Sequence, residues 1–278
     1  MDELHKLITL ALHEDVGRGD ITTQAIYSGS ELAKAEFVAK EDGIIAGIEV
    51  AKRVFSEVDE NIRFEPVVED GARVQRGDII AKANGPAGSL LTAERTVLNF
   101  MQRMSGIATK SRIFADAISH TKAKVLDTRK TIPGHRYTDK WAVKLGGGEN
   151  HRIGLYDRYL IKENHISVAG SIQVAIQNCV AHRQSNKLSA QIEIEVTSLD
   201  ELREALKFSD VDYIMLDNMS VELMKEAVAI TAGRCKLEAS GNVNLETIAT
   251  IAETGVDFIS VGALTHSVKA LDISLLFR

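Results

Sequence analysis

Six short β-rich runs recur along the second half of the chain, and helical stretches lie between most of them. The runs are KVLDTR (124–129), DRYLIK (157–162), QIEIEV (191–196), DYIMLD (212–217), CKLEA (235–239) and DFISVG (257–262). The spacing predicts helices over 168–182, 198–208, 220–231 and 244–254. Strands that alternate with helices imply a parallel sheet with crossover connections. Asp127, Arg129, Lys162, Glu193, Glu195 and Asp217 are charged residues within or at the ends of these otherwise apolar runs. Several strands that each deliver a polar group at the C-terminal end form the pattern of a barrel enzyme. An open doubly wound sheet would gather its site at one switch point instead. The stretch from about 120 to 265 is short for eight strand–helix units, which need roughly 200 residues or more. The expected fold is therefore α/β: an incomplete barrel of six or seven strands, which a neighbouring subunit could close.

The first part of the chain reads differently, as an N-terminal α/β sandwich over 1–109, joined by the C-terminal tail 268–278 and followed by a barrel domain over 110–267. Leu4, Leu7, Ile8 and Leu12 fit one helix face, with Asp2 as its N-cap. Residues 33–48 alternate like a strand pair, AKAEFVAK then GIIAGIEV, and 50–58 look helical. EDGARVQRGDIIAKA (69–83) reads as strand, turn, strand, similar to the hammerhead domains that carry biotin or lipoate but without the carrier lysine. A long helical pattern over 90–118 is expected to break near Ser105-Gly106.

Composition narrows the class of protein. Of 278 residues, 45% are hydrophobic and 26% charged, which excludes a disordered chain. The net charge of −6 gives no reason to expect nucleic acid or an anionic membrane as partner. The N-terminus is too acidic for a signal peptide, and no apolar run approaches the ~20 residues that span a bilayer. Cys179 and Cys235 match no zinc or redox spacing and read as reduced, buried thiols of a cytoplasmic protein.

The mild acidity hides a local contrast. Arg129, Lys130, Arg136, Lys140, Lys144, Arg152, Arg158 and Lys162 face only Asp139, Glu149 and Asp157, a charge of +5 in a chain of −6. Arg136, Lys140, Lys144 and Arg158 sit on or near a predicted helix and are equally well read as a solvated helix face. Arg129, Lys130 and Lys162 terminate strands, where a barrel's active-site face lies. Asn150-His151-Arg152 follows the run Gly146-Gly147-Gly148, where backbone can approach a ligand closely. Several fixed cations imply a substrate with several negative charges, and arginine suggests carboxylate or phosphate held by paired hydrogen bonds.

Glu193, Glu195 and Asp217 supply the opposite sign. Side-chain alternation puts both glutamates on one strand face. Buried carboxylates need a partner, either an ion pair to Lys162 or a hard cation such as Mg²⁺ held together with substrate phosphates. Glu195 and Asp217, at strand C-termini, are preferred to Glu193 for the cation. Ser240-Gly241-Asn242 and Gly262-Ala263 form glycine turns after late strands, where barrels commonly bind phosphate. There is no P-loop and no Gly-x-Gly-x-x-Gly fingerprint.

These residues resemble the quinolinate phosphoribosyltransferase family. The stretches that carry the likeness are HEDVGRGDIT (13–22), LTAERTVLNFMQRMSGIAT (91–109), LDTRKTIPGHR (126–136), WAVKLGGGENHRIGLYDRYLIKENHI (141–166), IEIEV (192–196), MLDN (215–218), LEASGNV (237–243) and VGALTHS (261–267). Departures are Trp141, where the family usually has tyrosine, and Glu163, where it has aspartate. The resemblance implies transfer of phosphoribose to quinolinate with loss of CO₂, Mg²⁺ as cofactor, and a homodimer as the minimal unit, with higher oligomers left open. It also implies that Thr128, Arg129, His151, Arg152 and Lys162 surround quinolinate and the adjoining sugar, and that Arg95 enters from the partner subunit. Lys130, Glu195 and Asp217 would hold phosphoribosyl pyrophosphate and its magnesium. Ser240, Gly241, Asn242, Val261, Gly262 and Ala263 would contact the 5-phosphate. Lys130, Lys162, Glu195 and Asp217 are the residues implied in catalysis.

Three other functions compete with this one. One is a phosphoribosyltransferase-fold protein with another substrate, of the molybdenum-transport-associated type. Another is a Schiff-base aldolase using Lys162. The third is a non-catalytic anion-binding protein.

Overall fold

The computed structural model describes residues 3–278, so Asp2, the expected N-cap, lies outside the described residues. The chain divides into two compact units. The first comprises residues 1–112, 131–147 and 264–278, and the second 113–130 and 148–263. In chain order, β1 (Leu32–Ala39), β2 (Gly43–Ile44), β3 (Arg63–Pro66), β4 (Arg73–Val74) and β5 (Ile79–Pro86) belong to the first unit. β6 (Lys124–Leu126), β7 (Arg158–Ile161), β8 (Gln191–Val196), β9 (Tyr213–Asp217), β10 (Lys236–Ser240) and β11 (Phe258–Ser260) build the second. β12 (Ile273–Phe277) returns to the first. No helix among the described residues is long and apolar enough to cross a membrane.

In the first unit, β12, β1, β5 and β3 form an antiparallel sheet in that order. Every second residue of β1 from Ala35 onward is buried, as the two-residue period of a strand requires. Phe37 meets Phe55 of helix Ile48–Val58 and Phe64 of β3 edge-on, with ring centroids 6.1 and 5.8 Å apart. Such aromatic clusters bury large apolar area and hold helix to sheet.

Two expectations for this unit are corrected. GIIAGIEV is not the partner strand of β1. Only Gly43–Ile44 is extended, it pairs with β4, and a helix starts at Ile48. Gly47, at φ 101°, turns the chain into that helix. The strands flanking Arg76-Gly77-Asp78 therefore lie in different sheets.

The long helix does not break at Ser105-Gly106 but runs unbroken from Ala87 to Ala117. Gly106 is present for space: a Cβ there would collide with the carbonyl oxygen of Lys269. Beside it, Arg103 grips the fully buried Asp139 through two bonds, Nε–Oδ1 at 2.9 Å and a terminal guanidinium nitrogen to Oδ2 at 2.7 Å. Asp139 lies on helix Arg136–Leu145, whose Lys140 is also buried, so the solvated-face reading holds for the exposed Lys144 and fails for Lys140.

The second unit is a six-stranded, fully parallel sheet in the order β6-β11-β10-β9-β8-β7. That is the order of a barrel opened between its first two strands, β6 and β7, which do not pair. The expected incomplete barrel is present with six strands. The helix predicted over 168–182 is two helices, Glu163–Ala169 and Ile172–Ser185, because Gly170 at φ 93° ends one and the Ser171 hydroxyl caps the next.

Helix propensity alone favours alanine over glycine by about 1 kcal/mol. We expect Gly106→Ala to act in the opposite sense, costing about 1–3 kcal/mol through the clash. Urea denaturation followed by circular dichroism measures this, and a more stable variant would refute the packing argument.

Candidate active site

Along one face of the six-stranded sheet the side chains form three groups, from the N-terminal strand ends to the C-terminal ones. At the N-terminal ends, the Arg158 guanidinium stacks on Tyr213, 4.5 Å from the ring centroid, and Tyr213 in turn packs against Phe258. In the middle lie Glu193 of β8, Glu238 of β10 and Ser260 of β11, all buried. At the C-terminal ends stand Lys162, Glu195, Asp217 and Ser240.

The middle level holds the imidazole of His151, which enters from the segment that follows the glycine run. That segment lies along the open edge at β6. Glu149 N–H donates to the Val125 carbonyl at 2.8 Å, and Asp127 N–H to the Glu149 carbonyl at 3.1 Å. Asp127 Oδ1 then accepts the His151 N–H at 2.9 Å. His151 Nε2 lies 3.1 Å from Glu193 Oε2 and 3.4 Å from Glu238 Oε2. Glu193 also pairs with Arg158 at 3.3 Å, and Glu238 accepts the Ser260 hydroxyl at 2.5 Å. Burial opposes charge on His151, but its contacts to the two glutamates outweigh this and push it up to about 9. Nδ1 lies 2.7 Å from the Arg152 backbone nitrogen, and Nε2 faces the two carboxyl groups. These three side chains bring ligand-type atoms within 4.8 Å of one another. The three groups meet at ion-pair distance, and all are buried.

Arg152 is drawn below the usual arginine range, first by burial and then by the positive charge of Arg129, a sign of cations gathered at this edge. Arg152 and Arg158 line a cavity of about 440 Å³ beside β7, with Leu155, Leu160 and Ile161. Lys162 Nζ is ion-paired with Glu195 Oε2. Asp217 Oδ2 accepts the Asn218 side-chain amide at 2.8 Å. Thr128, Arg129 and Lys130 follow β6, where the Thr128 hydroxyl accepts the Lys130 N–H at 3.1 Å. Gly241 and Asn242, at φ 102° and 50°, turn the chain beside Asn218, and Val261, Gly262 and Ala263 follow β11. The described second unit thus holds every sequence-selected site residue except Arg95, which is exposed on the long helix within the first unit.

Arg158, read both within the β-rich run DRYLIK and as lying on or near a helix, is the first residue of β7, as the run implied, and pairs inward instead of facing solvent. Glu238 and Ser260 had not been selected at all. Their signal was a charge or hydroxyl on the strand face shared with Ser240 and Glu193, legible only once neighbouring strands are in register.

Models described as quinolinate phosphoribosyl transferase, N-terminal and C-terminal domain, match residues 20–105 and 107–276. The chain belongs to the quinolinate phosphoribosyltransferase family. A Nicotiana glauca family member named quinolinate phosphoribosyltransferase [decarboxylating] 2, mitochondrial, is 48% identical over 98% of this chain and 82% of its own length. A probable nicotinate-nucleotide pyrophosphorylase [carboxylating] of Bacillus subtilis is 44% identical over 98% of this chain and 93% of its own. The structure of the nicotinate-nucleotide pyrophosphorylase from Francisella tularensis superimposes with a TM-score of 0.94 at 44% identity, covering 100% of this chain and 96% of that one.

A Cβ at Gly241 would collide with the Asn218 side-chain amide oxygen, and the backbone there is left-handed. Gly241→Ala should therefore cost about 1–3 kcal/mol of strain. Thermal unfolding would show a lowered midpoint, and an unchanged one would mean that the turn relaxes freely.

Proposed function

We infer that this chain converts quinolinate and phosphoribosyl pyrophosphate to nicotinate mononucleotide, pyrophosphate and CO₂, a pentosyl transfer in NAD biosynthesis. The observation that carries the reading is the opposition of charge at one end of the sheet. The cations Arg129, Lys130, Arg152 and Lys162 stand with the carboxylates Glu195 and Asp217 at or beside the strand ends of one unit.

Quinolinate carries two carboxylates beside a ring nitrogen, and Arg129 and Arg152 are proposed to fix it, with His151 holding the turn from which Arg152 departs. Planar guanidinium groups suit planar carboxylates better than a lysine ammonium would. The ring nitrogen attacks the anomeric carbon of the sugar, and the bond to pyrophosphate breaks. Positive charge grows on the sugar, near Glu195 and Asp217. Negative charge grows on the leaving group, near Lys130 and Lys162. The pyridinium that results draws in the electron pair left when the 2-carboxylate departs as CO₂, and the ring carbon then takes a proton. The side chains position reactants and exclude water, and no covalent nucleophile is needed. Thr128, Ser240, Gly241, Asn242, Val261, Gly262 and Ala263 are proposed to hold the sugar and its 5-phosphate through hydroxyl and backbone groups.

Glu195 and Asp217 fit a hard divalent cation: they are carboxylates on adjacent strand ends, only partly buried, so that a cation could keep some of its water. Bound there with substrate phosphates, Mg²⁺ would neutralise charge on the leaving pyrophosphate. Lys162 Nζ is engaged by the Glu195 carboxylate and is not presented as the free nucleophile that a Schiff-base aldolase requires. The cytoplasm is the proposed location, on the free thiols of Cys179 and Cys235, both half-buried and not fully buried as expected.

A homodimer is proposed in which the partner subunit's Arg95 completes each site, in keeping with the exposure of Arg95 and its place outside the unit that carries the strand-end residues. An assay of quinolinate consumption and CO₂ release with phosphoribosyl pyrophosphate and Mg²⁺ tests the activity, and absence of CO₂ at saturating substrate rejects it. Arg95→Ala and Lys162→Ala should each be inactive, while their mixture recovers activity in heterodimers with one intact site. No recovery despite proven subunit exchange would exclude a shared site. Glu195→Ala should weaken Mg²⁺-dependent binding of phosphoribosyl pyrophosphate by about tenfold or more. Titrations with and without Mg²⁺ measure this, and equal affinities would remove Glu195 from the cation.

A further inference from the structure

Strands β9 and β10 end together, with Asp217 level with Ser240 in the parallel register. One residue further, the Asn218 N–H donates to the Ser240 carbonyl at 2.9 Å and carries the ladder past both strand ends. Asn218 is left-handed, at φ 53°, a backbone that asparagine adopts far more readily than most residues with a side chain. Its side chain bridges two groups of the strand-end site. Nδ2 donates to Asp217 Oδ2 at 2.8 Å, and Oδ1 accepts from Asn242 Nδ2 at 3.2 Å. A carboxylate oxygen accepts and does not donate, so it fixes which way round the Asn218 amide lies. The amide oxygen is thereby turned to Asn242, which presents its own nitrogen. Gly241 leaves room for the bridge, since a Cβ there would collide with Asn218 Oδ1.

We propose that Asn218 is a positioning residue for phosphoribosyl pyrophosphate, a neutral strut that fixes the carboxylate of Asp217 relative to the turn Ser240–Asn242. The proposal rests on the reading that Asp217 meets the sugar and its cation while the turn holds the 5-phosphate. Two ends of one substrate are then gripped at a set span, and less order has to be imposed when it binds. The position makes three demands: a left-handed backbone, a donor toward Asp217 and an acceptor toward Asn242. Glycine meets only the first. Aspartate meets the first and third but sets a second carboxylate against Asp217. Asparagine meets all three. Asn218 is exposed, so water readily replaces its side-chain bonds and their loss costs folding little. The loss falls on the alignment of Asp217 and Asn242, and through them on the substrate.

Asn218→Gly tolerates the left-handed backbone and removes both side-chain bonds, whereas Asn218→Asp keeps the acceptor and removes the donor. Each should raise KM for phosphoribosyl pyrophosphate by about tenfold, leave KM for quinolinate within about twofold, and unfold thermally close to the parent protein. A general structural defect would instead move both KM values and the thermal midpoint together. ¹⁵N spectra of the side-chain amides, recorded without substrate, give a second readout. The Asn242 signal, identified by its disappearance in Asn242→Ser, should shift in Asn218→Gly. Because this measurement needs no substrate, it separates the bridge from the substrate assignment. Asp217→Ala with undiminished Mg²⁺-dependent binding of phosphoribosyl pyrophosphate would overturn the assignment of this strand end, whatever the Asn242 signal does. An Asn242 signal unmoved in Asn218→Gly would overturn the bridge. A parental KM for phosphoribosyl pyrophosphate in either Asn218 variant would overturn the positioning role.

Discussion

The imidazole of His151 lies between the carboxyl groups of Glu193 and Glu238, and both glutamates are wholly removed from solvent. Burying such a set is costly unless protons and charges are matched, since an unpaired ion in a low dielectric loses several kcal/mol of hydration. The match comes from three directions: the guanidinium of Arg158, the imidazole of His151 and the hydroxyl of Ser260. The cluster, glutamates included, draws on β7, β8, β10, β11 and the segment along the open edge. A fully apolar filling would also close the interior, but it would not fix the direction of one ring.

That direction matters because the sheet is incomplete. β6 and β7 do not pair, and the segment around Glu149 supplies the ladder bonds that β6 would otherwise lack on that side. A chain at an open edge has few neighbours to hold it. His151 anchors this one inward, and Asp127 anchors the backbone at the same point. The glycine run before it lets the chain enter, and the buried cluster stops it from moving. Arg152 inherits the result.

Charge is sorted by level. The sites that would meet substrate, at Lys162, Glu195 and Asp217, are partly exposed, while Glu193 and Glu238 are sealed beneath them. All of these except Lys162, which extends the line of β7, lie on one face of their strands, so sequence alternation alone does not separate an acid that meets a ligand from one that holds the scaffold. Preferring Glu195 over Glu193 for the cation follows from position along the strand. What Glu193 does instead depends on Arg158 and His151, which are 35 and 42 positions away.

The alternation of strands and helices, the shortness of the barrel and the cationic stretch from Arg129 to Lys162 were legible in the amino-acid sequence, because each follows from local period or composition. So were the residues that stand at the strand ends. The unbroken helix at Gly106 was not, because the glycine answers to the Lys269 carbonyl and not to its neighbours in the chain. The burial of Lys140, the inward turn of Arg158 and the burial of Glu238 beside Ser260 were hidden for the same reason. The sequence by itself determined which elements form and which residue types gather at one end of the sheet, since periodicity and turn chemistry act over a few residues. Only the tertiary structure decided which charges meet water and which meet each other, since that pairing joins side chains brought together by strand register across more than a hundred residues.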